Sequence, residues 1–181
     1  MGLFAKIKEL FSAQKYIFSA MAEMDRKNST YANLTTEELG ALSDDELISA
    51  ALYRTDKKID NILGKKKKGT PADWSEHLTG AQRIVYILSY FESDMQTGGL
   101  EYFLERNDAL APLVSECLGE IGALEQRALY DEFLADRGYR MNYSERLEYQ
   151  EELRAFNDRY LALPAMEQFF ATYLKANIEQ F

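Results

Sequence analysis

Apolar residues recur at three- and four-residue steps along most of the chain, which is the spacing of amphipathic helices. In the N-terminal segment this stripe consists of Leu3, Phe4, Ile7, Leu10, Phe11, Ile17, Phe18 and Met21, and Lys6, Lys8 and Lys15 lie outside it. Packing of this helix onto the rest of the protein, or onto a second copy, is favoured over a helix lying on a membrane surface.

Capping boxes mark where later helices begin, and they join Thr35 to Glu38, Ser43 to Glu46, and Thr79 to Gln82. The second opens a helix that reaches about Leu63 and ends at a glycine- and lysine-rich stretch, residues 64–71, which is typical of a solvated loop. The third opens a helix over residues 81–95 that is apolar almost all round, so we expect it in the middle of a bundle.

Two adjacent glycines, Gly98 and Gly99, interrupt the helical pattern. We expect Gly98 to take the left-handed position that ends a helix in a Schellman motif, and Gly99 to let the next helix approach closely. Further helices are predicted over residues 100–104, from Asp108 to near Gly122, over 124–134, from a Ser144 cap to Pro164, and through a last apolar run that includes Ile178. Because no strand or βαβ pattern appears, we predict an all-α fold, a compact multi-helix bundle with short helix–helix connections.

The composition supports a packed core and offers little for catalysis or metal binding. With 181 residues, of which 46% are apolar, the chain can bury a substantial core. One cysteine and one histidine exclude a disulfide framework and a closed zinc site built from this chain alone. We expect Cys117 to be a buried structural thiol, His77 to lie on the surface, and no metal or cofactor to be bound. No signal peptide or membrane span is recognised, which predicts a cytoplasmic protein.

Charge is distributed unevenly along the chain. Residues 1–30 carry five basic and three acidic side chains, residues 31–70 carry seven of each, and residues 71–181 carry nine basic and twenty acidic ones, for net charges of +2, 0 and −11. Such an acidic field repels nucleic acid and attracts basic surfaces, and it weakens as salt rises. Solubility is the alternative explanation for this acidity.

The predicted helix from Ser144 concentrates carboxylates, since Glu145, Glu148, Glu151 and Glu152 fall close together. Their density along the axis is comparable to that of the phosphates of one DNA strand. Repulsion between carboxylates four residues apart destabilises a helix, which is more easily understood if a basic partner uses them. The alternative is a solvated face with local ion pairs to Arg146 and Arg154.

The stretch Tyr86-Ile-Leu-Ser-Tyr-Phe-Glu-Ser-Asp94-Met-Gln-Thr-Gly98-Gly99-Leu-Glu-Tyr-Phe-Leu104, with Leu118-Gly-Glu-Ile-Gly122-Ala123 downstream, resembles the signature of the DNA-mimic protein family, long catalogued as a domain of unknown function. The resemblance covers about residues 78–181. This chain departs from the usual pattern by having Gln96 and Thr97 for two Asn, Leu100 for Phe, Tyr102 for Gln, and Arg106 for Asn.

The resemblance implies an acidic, all-helical, dimeric protein that presents carboxylates to a basic, DNA-binding protein. It implies a DNA-mimic-like helical domain over residues 71–181, with residues 1–70 as an N-terminal helical extension packed on that core. The candidate partner-binding residues are Glu145, Glu148, Glu151, Glu152 and Asp158, together with Glu101 and Glu105. The candidate structural motif consists of Asp94, Gly98, Gly99 and Gly122.

The sequence thus predicts a non-enzymatic, acidic protein-binding module that mimics DNA phosphates to sequester or regulate a DNA-binding protein, and that binds neither nucleic acid nor membrane itself. Two alternatives remain open at this point. One is an immunity or inhibitor protein that binds and blocks an enzyme. The other is a hydrolase that uses Asp94 and Glu92 near the Gly-Gly turn, which requires a concave pocket and a carboxylate with a raised pKa.

Overall fold

The computed structural model describes residues 29–64, 68–135 and 147–181. Within these residues all regular structure is helical, which confirms the predicted all-α class. The helices are α1 (Thr36–Gly40), α2 (Asp44–Leu63), α3 (Pro71–Ser75), α4 (Gly80–Arg106), α5 (Ala111–Glu120), α6 (Leu124–Leu134), α7 (Gln150–Leu161) and α8 (Met166–Ala176), followed by a 3-10 turn (Ile178–Gln180). The predicted N-terminal stripe, the turn at Asp136 and the Ser144 cap lie outside the described residues.

All three predicted capping boxes are present and start α1, α2 and α4. In α1 the Thr35 amide donates to Glu38 Oε2 at 2.8 Å, and in α2 the Ser43 hydroxyl donates to Glu46 Oε2 at 2.7 Å. A further box that we did not predict starts α3, where the Thr70 amide donates to Asp73 Oδ2 at 2.7 Å. An Asp therefore serves there in the position usually held by Glu or Gln.

Helix α4 packs against α2, α5 and α7, and α2 packs against α8. At the centre lies Phe91 of α4, whose ring meets those of Phe103, Tyr130 and Tyr160 edge-to-face at centroid distances of 5.1, 5.5 and 5.6 Å. Each such pair contributes about 0.5–1.5 kcal/mol beyond the burial of apolar area. These contacts tie both parts of α4 to α6 and α7, and the same core includes Leu47 of α2.

One predicted boundary differs from the structure. Ile178 lies in the terminal 3-10 turn rather than on the last helix, because α8 ends at Ala176. Leu147 and Glu148 are helical, and a turn at Tyr149, which has φ −96° and ψ 18° and packs against the core, separates them from α7. Among the helices of the described residues, none combines the length and the apolar character that crossing a bilayer requires.

Cys117 is buried on α5, as predicted, and its side chain faces a low-dielectric environment. Burial, reinforced by the nearby Glu116 carboxylate, raises the pKa of the Cys117 thiol to about 12. We therefore expect negligible alkylation by iodoacetamide in the native protein at pH 8, and rapid alkylation once urea exposes the thiol. Mass spectrometry of the two samples measures this difference, and stoichiometric labelling of the native protein would contradict it.

The same shift gives a pH dependence of stability. A thiol whose pKa is raised on folding ionises first in the unfolded chain, so its contribution is fully present below the unfolded pKa near 9. That contribution is lost as the pH rises toward the folded pKa of about 12.

Candidate protein-binding surface

The joint inside α4 is made by Gly99, whose backbone has φ +76° and ψ −170°. This region is accessible essentially to glycine alone. A Cβ built on Gly99 would lie 2.2 Å from Asn157 Nδ2 of α7, so the residue also permits close helix packing. The Leu100 amide donates to Asn157 Oδ1 at 2.9 Å and fixes α7 against the joint.

Our expectation that Gly98 takes the left-handed position was wrong, because Gly99 and not Gly98 has the positive φ. The Schellman motif lies instead at Gly122, with φ +80°, at the end of α5. There the Ala123 amide donates to the Leu118 carbonyl at 2.9 Å, and the Gly122 amide donates to the Gly119 carbonyl at 3.1 Å. Gly98 has a different constraint, since a Cβ there would lie 2.8 Å from Tyr102 Cβ.

Residues that depart from the usual family pattern make contacts of their own around the joint. The Arg106 guanidinium lies 4.7 Å from the centroid of the Tyr102 ring, which is a cation–π arrangement. Gln96 donates to Glu92 Oε1 at 2.8 Å, and the Thr97 hydroxyl donates to the Ser93 carbonyl at 2.7 Å. The side chains of Gln96 and Thr97 therefore form their hydrogen bonds within α4 itself.

The two carboxylates of the hydrolase hypothesis hold structural hydrogen bonds. Asp94 is buried, and Asn107 Nδ2 donates to its Oδ2 at 2.6 Å, which links the two parts of α4 across the joint. Glu92 accepts from the Tyr160 hydroxyl at 2.7 Å as well as from Gln96. Burial and the Glu92 carboxylate raise the pKa of Tyr160, so this phenol stays a hydrogen-bond donor. Both carboxylates thus take part in contacts that hold the helices together.

The cavity beside Glu92 measures about 140 Å³ and is walled mainly by apolar residues of the α7–α8 connection. His77 is exposed on the short segment after α3, away from this cavity's lining. Within the described ranges, no group of three His, Cys, Asp or Glu side chains is arranged to hold a metal ion.

Helix α7 separates an anchoring side from an acidic side. Leu153, Phe156 and Tyr160 are buried in the core, which holds the helix in place. Glu151 and Asp158 are exposed and seven residues apart, so they lie on the same side of the helix about 10 Å apart along its axis. Exposed Glu152 lies about 100° round the helix from Glu151. This arrangement gives a fixed row of carboxylates.

Helix α6 packs beside α7 and adds further charges to the same surface. Arg159 of α7 bonds Glu132 of α6 at 3.0 Å, and Arg127 lies 3.6 Å from Asp131. We call the exposed residues of both helices, together with Glu148 just before α7, the α6–α7 face; its acids are Glu125, Asp131, Glu132, Glu148, Glu151, Glu152 and Asp158, and its bases are Arg127, Arg154 and Arg159. The face therefore carries a net charge of −4.

A groove of about 220 Å³ runs between the two helices of the face. Its walls combine the apolar Leu129, Phe133 and Phe156 with the charged Glu132, Glu152 and Arg159. The face is thus neither flat nor uniformly acidic. It offers a partner a shallow concavity with carboxylates at its edge.

The other predicted partner-binding residues are placed differently. Glu148 is exposed but precedes Tyr149, the N-cap of α7, so it does not share a continuous helix with Glu152. Glu105 is exposed and Glu101 half-buried on the part of α4 after the joint, and Glu145 lies outside the described residues. The α6 carboxylates were missed by sequence reasoning. The helical spacing of these carboxylates could have been recognised in the sequence, but the packing of α6 beside α7 could not.

These observations define an all-α protein with an exposed helical surface of net negative charge. The chain belongs to the DMP19-like protein family, whose family model matches residues 76–177, more than half of the chain. That range includes the joint, α6 and all of α7 and α8. It is a family of DNA-mimic proteins and not a known enzyme family, which points to a protein-binding role. Searches of curated proteins and of solved structures found no match.

Proposed function

We propose that this protein binds a basic, DNA-binding protein through the α6–α7 face and so keeps that partner from DNA. The carboxylates of the face would occupy positions in the partner's basic groove that DNA phosphates otherwise fill. The proposal includes Glu145 and Glu148 ahead of α7 and extends to Glu101 and Glu105 on α4. The protein would act without catalysis, metal or cofactor.

The single observation that carries the proposal is the exposed row of Glu151, Glu152 and Asp158 on a helix whose opposite side is buried. The buried side of α7 anchors the backbone that carries these carboxylates, so less backbone entropy is lost when a partner docks. One exposed ion pair contributes only about 0–1 kcal/mol, so several must act together. Binding should therefore weaken steeply as salt screens the charges.

A capture experiment with a competitor tests the proposal. The immobilised full-length protein is incubated with a lysate of its host, and bound proteins are eluted with duplex DNA. Polyglutamate at the same charge concentration is the control for unspecific anion exchange. We expect a DNA-binding protein to elute with DNA at a lower charge concentration than with polyglutamate.

The competition also separates the proposal from its rival. An inhibitor that blocks an enzyme unrelated to DNA would capture a partner that DNA does not displace. Elution by both polyanions at the same charge concentration would indicate attraction of any basic protein, and it would contradict mimicry of DNA.

Breaking the ion pair between Arg159 and Glu132 from the arginine side should strengthen partner binding, whereas loss of a carboxylate should weaken it. Replacing Arg159 with Gln removes a positive charge from the face, so we expect the partner to bind about two- to fivefold more tightly. Both side chains are more than half exposed, so the free energy of unfolding should change by less than about 1 kcal/mol. Calorimetric titration with the purified partner and urea denaturation measure the two quantities.

Lys175→Gln is the matched control, because it breaks an exposed ion pair with Asp44 on α8 and α2, outside the face. Like Arg159→Gln, it removes one positive charge from the protein. Equal tightening in both variants would show that net charge, and not the α6–α7 face, controls binding.

The proposal also covers organisation and location. We place residues 71–181 in the partner-binding domain and treat residues 1–70 as a helical extension packed upon it. We also propose a cytoplasmic location for the protein. A homodimer would present the face twice, and sedimentation equilibrium across a range of concentrations tests that arrangement.

A further inference from the structure

A second concave surface lies between α2, α4 and α8 and has a different character from the α6–α7 face. The groove measures about 180 Å³, and its apolar walls are Ile48 and Leu52 of α2, Val85 of α4, and Met166, Phe170 and Leu174 of α8. Two carboxylates, the half-buried Glu92 and the exposed Glu167, also line it. We call it the α2–α8 groove.

The concave surface continues beyond this groove. Glu92, Met166 and Glu167 also line the neighbouring cavity at the α7–α8 connection, so the two concavities adjoin. That second cavity reaches Leu161, which is 57% exposed although it is a large apolar side chain. A concavity with apolar walls and acidic edges suits a helix that brings apolar residues and flanking cations.

The chain itself contains a segment with these properties. Residues 3–21 carry the apolar stripe described above, and residues 1–30 have a net charge of +2 against −11 for residues 71–181. In a helix, Lys8 and Lys15 would be two turns apart on one flank of the stripe. Their charges complement those of Glu92 and Glu167.

The place where the described chain begins is compatible with this segment reaching the groove. Arg54 of α2 donates to the carbonyls of Tyr31 and Leu34. The first described residues therefore lie against α2, which also supplies one wall of the groove. Residues 22–28 separate the stripe from Ser29 and, fully extended, span about 23 Å. That reach exceeds the diameter of one helix, which is about 10–12 Å with side chains.

We propose that residues 3–21 form an amphipathic helix that docks in the α2–α8 groove of the same chain. The apolar stripe packs against the half-buried Ile48 and Leu52 of α2, and the flanking lysines lie toward Glu167 and Glu92. This docking rests on the proposed packing of residues 1–70 on the core. It does not depend on partner binding, because it uses a different surface and an occupant from the chain itself.

A spin label on the segment tests the docking. Ser12 lies opposite the apolar stripe, so Ser12→Cys carries a nitroxide that would point away from the groove. Cys117 stays unlabelled because it is buried and the pKa of its thiol is about 12. In the full-length chain we expect the methyl signals of Leu52, Met166 and Leu174 to lose most of their NMR intensity, and that of Leu124 on α6 to keep most of it.

Charge and stripe variants refine the test. Ile7→Asp combined with Phe11→Asp should restore the lost intensity, because both residues belong to the stripe. Glu167→Lys should restore part of it, whereas Glu179→Lys, the same charge change at an exposed site on the terminal turn, should restore none. Circular dichroism of each variant checks that the helical bundle is intact.

Three results would overturn the docking. The first is full methyl intensity at Leu52 and Leu174 in the labelled chain. The second is equal loss at Leu52 and Leu124, which would indicate a segment without a defined site. The third is the same loss in a mixture of isotope-labelled wild type and unlabelled nitroxide protein, which would make a second copy the occupant.

Discussion

Replacing Gly99 with alanine is expected to lower the free energy of unfolding by about 4 kcal/mol. Two costs add together at this position. The backbone region at φ +76° and ψ −170° costs a residue with a Cβ on the order of 1–3 kcal/mol. The Cβ would also lie 2.2 Å from Asn157 Nδ2, an overpacking that costs on the order of 1–3 kcal/mol. Urea denaturation measures the loss, and the melting temperature should fall by on the order of 10 °C.

Two other glycines provide matched controls that separate these costs. Gly122 has φ +80° but nothing within 4 Å of a built Cβ, so Gly122→Ala should cost about 1–2 kcal/mol from backbone strain alone. Gly40 has neither constraint, since its Cβ would make an ordinary 3.6 Å contact with Ile178, and Gly40→Ala should cost nothing measurable. Equal losses in all three variants would contradict the role we assign to the joint.

A double variant isolates the clash. Asn157→Ala alone loses the hydrogen bond from the Leu100 amide and should cost about 1 kcal/mol. Combined with Gly99→Ala it also removes the atoms that the new methyl group meets. The double variant should therefore be more stable than the sum of the two single losses predicts, and simple additivity would mean that the two residues do not interact.

Reversal of the three α7 carboxylates, with Glu151, Glu152 and Asp158 all changed to lysine, is expected to weaken partner binding by about 100-fold. Each lost attraction contributes about 1 kcal/mol, so three contribute about 3 kcal/mol, which corresponds to roughly that factor. The net charge of the α6–α7 face changes from −4 to +2, which also slows the encounter with a basic partner. Calorimetric titration with the purified partner measures the affinity.

The control for this reversal changes the same number of charges elsewhere. Glu37, Glu76 and Glu179 are exposed outside the α6–α7 face, and their triple change to lysine should weaken binding much less. Because all six positions are exposed, neither triple variant should unfold the protein, and circular dichroism checks this. Comparable losses in the two variants would mean that overall acidity attracts the partner. Unchanged binding after reversal of the α7 residues would remove the face from the proposal.

Membership of the DMP19-like family and the geometry of the face support the same kind of function from different directions. The family model covers residues 76–177 and points to a protein-binding role, but the residues that would contact a partner have to come from this chain's own surface. Here the surface is mixed, since three arginines dilute seven carboxylates. Specificity for one partner would then depend on where the charges lie in addition to how many there are.

Several local features could be predicted from the sequence. The capping boxes at Thr35, Ser43 and Thr79 start helices where expected, because each involves residues only three positions apart. The burial of Cys117 followed from the apolar helical run around it. The break in α4 was also visible, since adjacent glycines interrupt a helix wherever they occur.

Features that depend on distant residues could not be read in this way. The glycine with the positive φ is the one that lies against Asn157, whose side chain accepts from the Leu100 amide 57 residues earlier in the chain. The start of α7 at Gln150 depends on Tyr149, which leaves the helical conformation and packs against the core. Likewise, the polar partners of Glu92 and Asp94, Tyr160 and Asn107, come from α7 and from the end of α4.

For this protein the sequence by itself determined the all-α class, most helix boundaries and the acidity of residues 71–181. These properties follow from local spacing, short-range hydrogen bonds and composition, and they do not depend on which helices pack together. The tertiary structure alone decided that α6 lies beside α7, that Arg159 pairs with Glu132, and that the α7 carboxylates are held on one exposed side. The reason is that helix pairing and charge compensation are set by side chains far apart in the chain that meet only in the folded core.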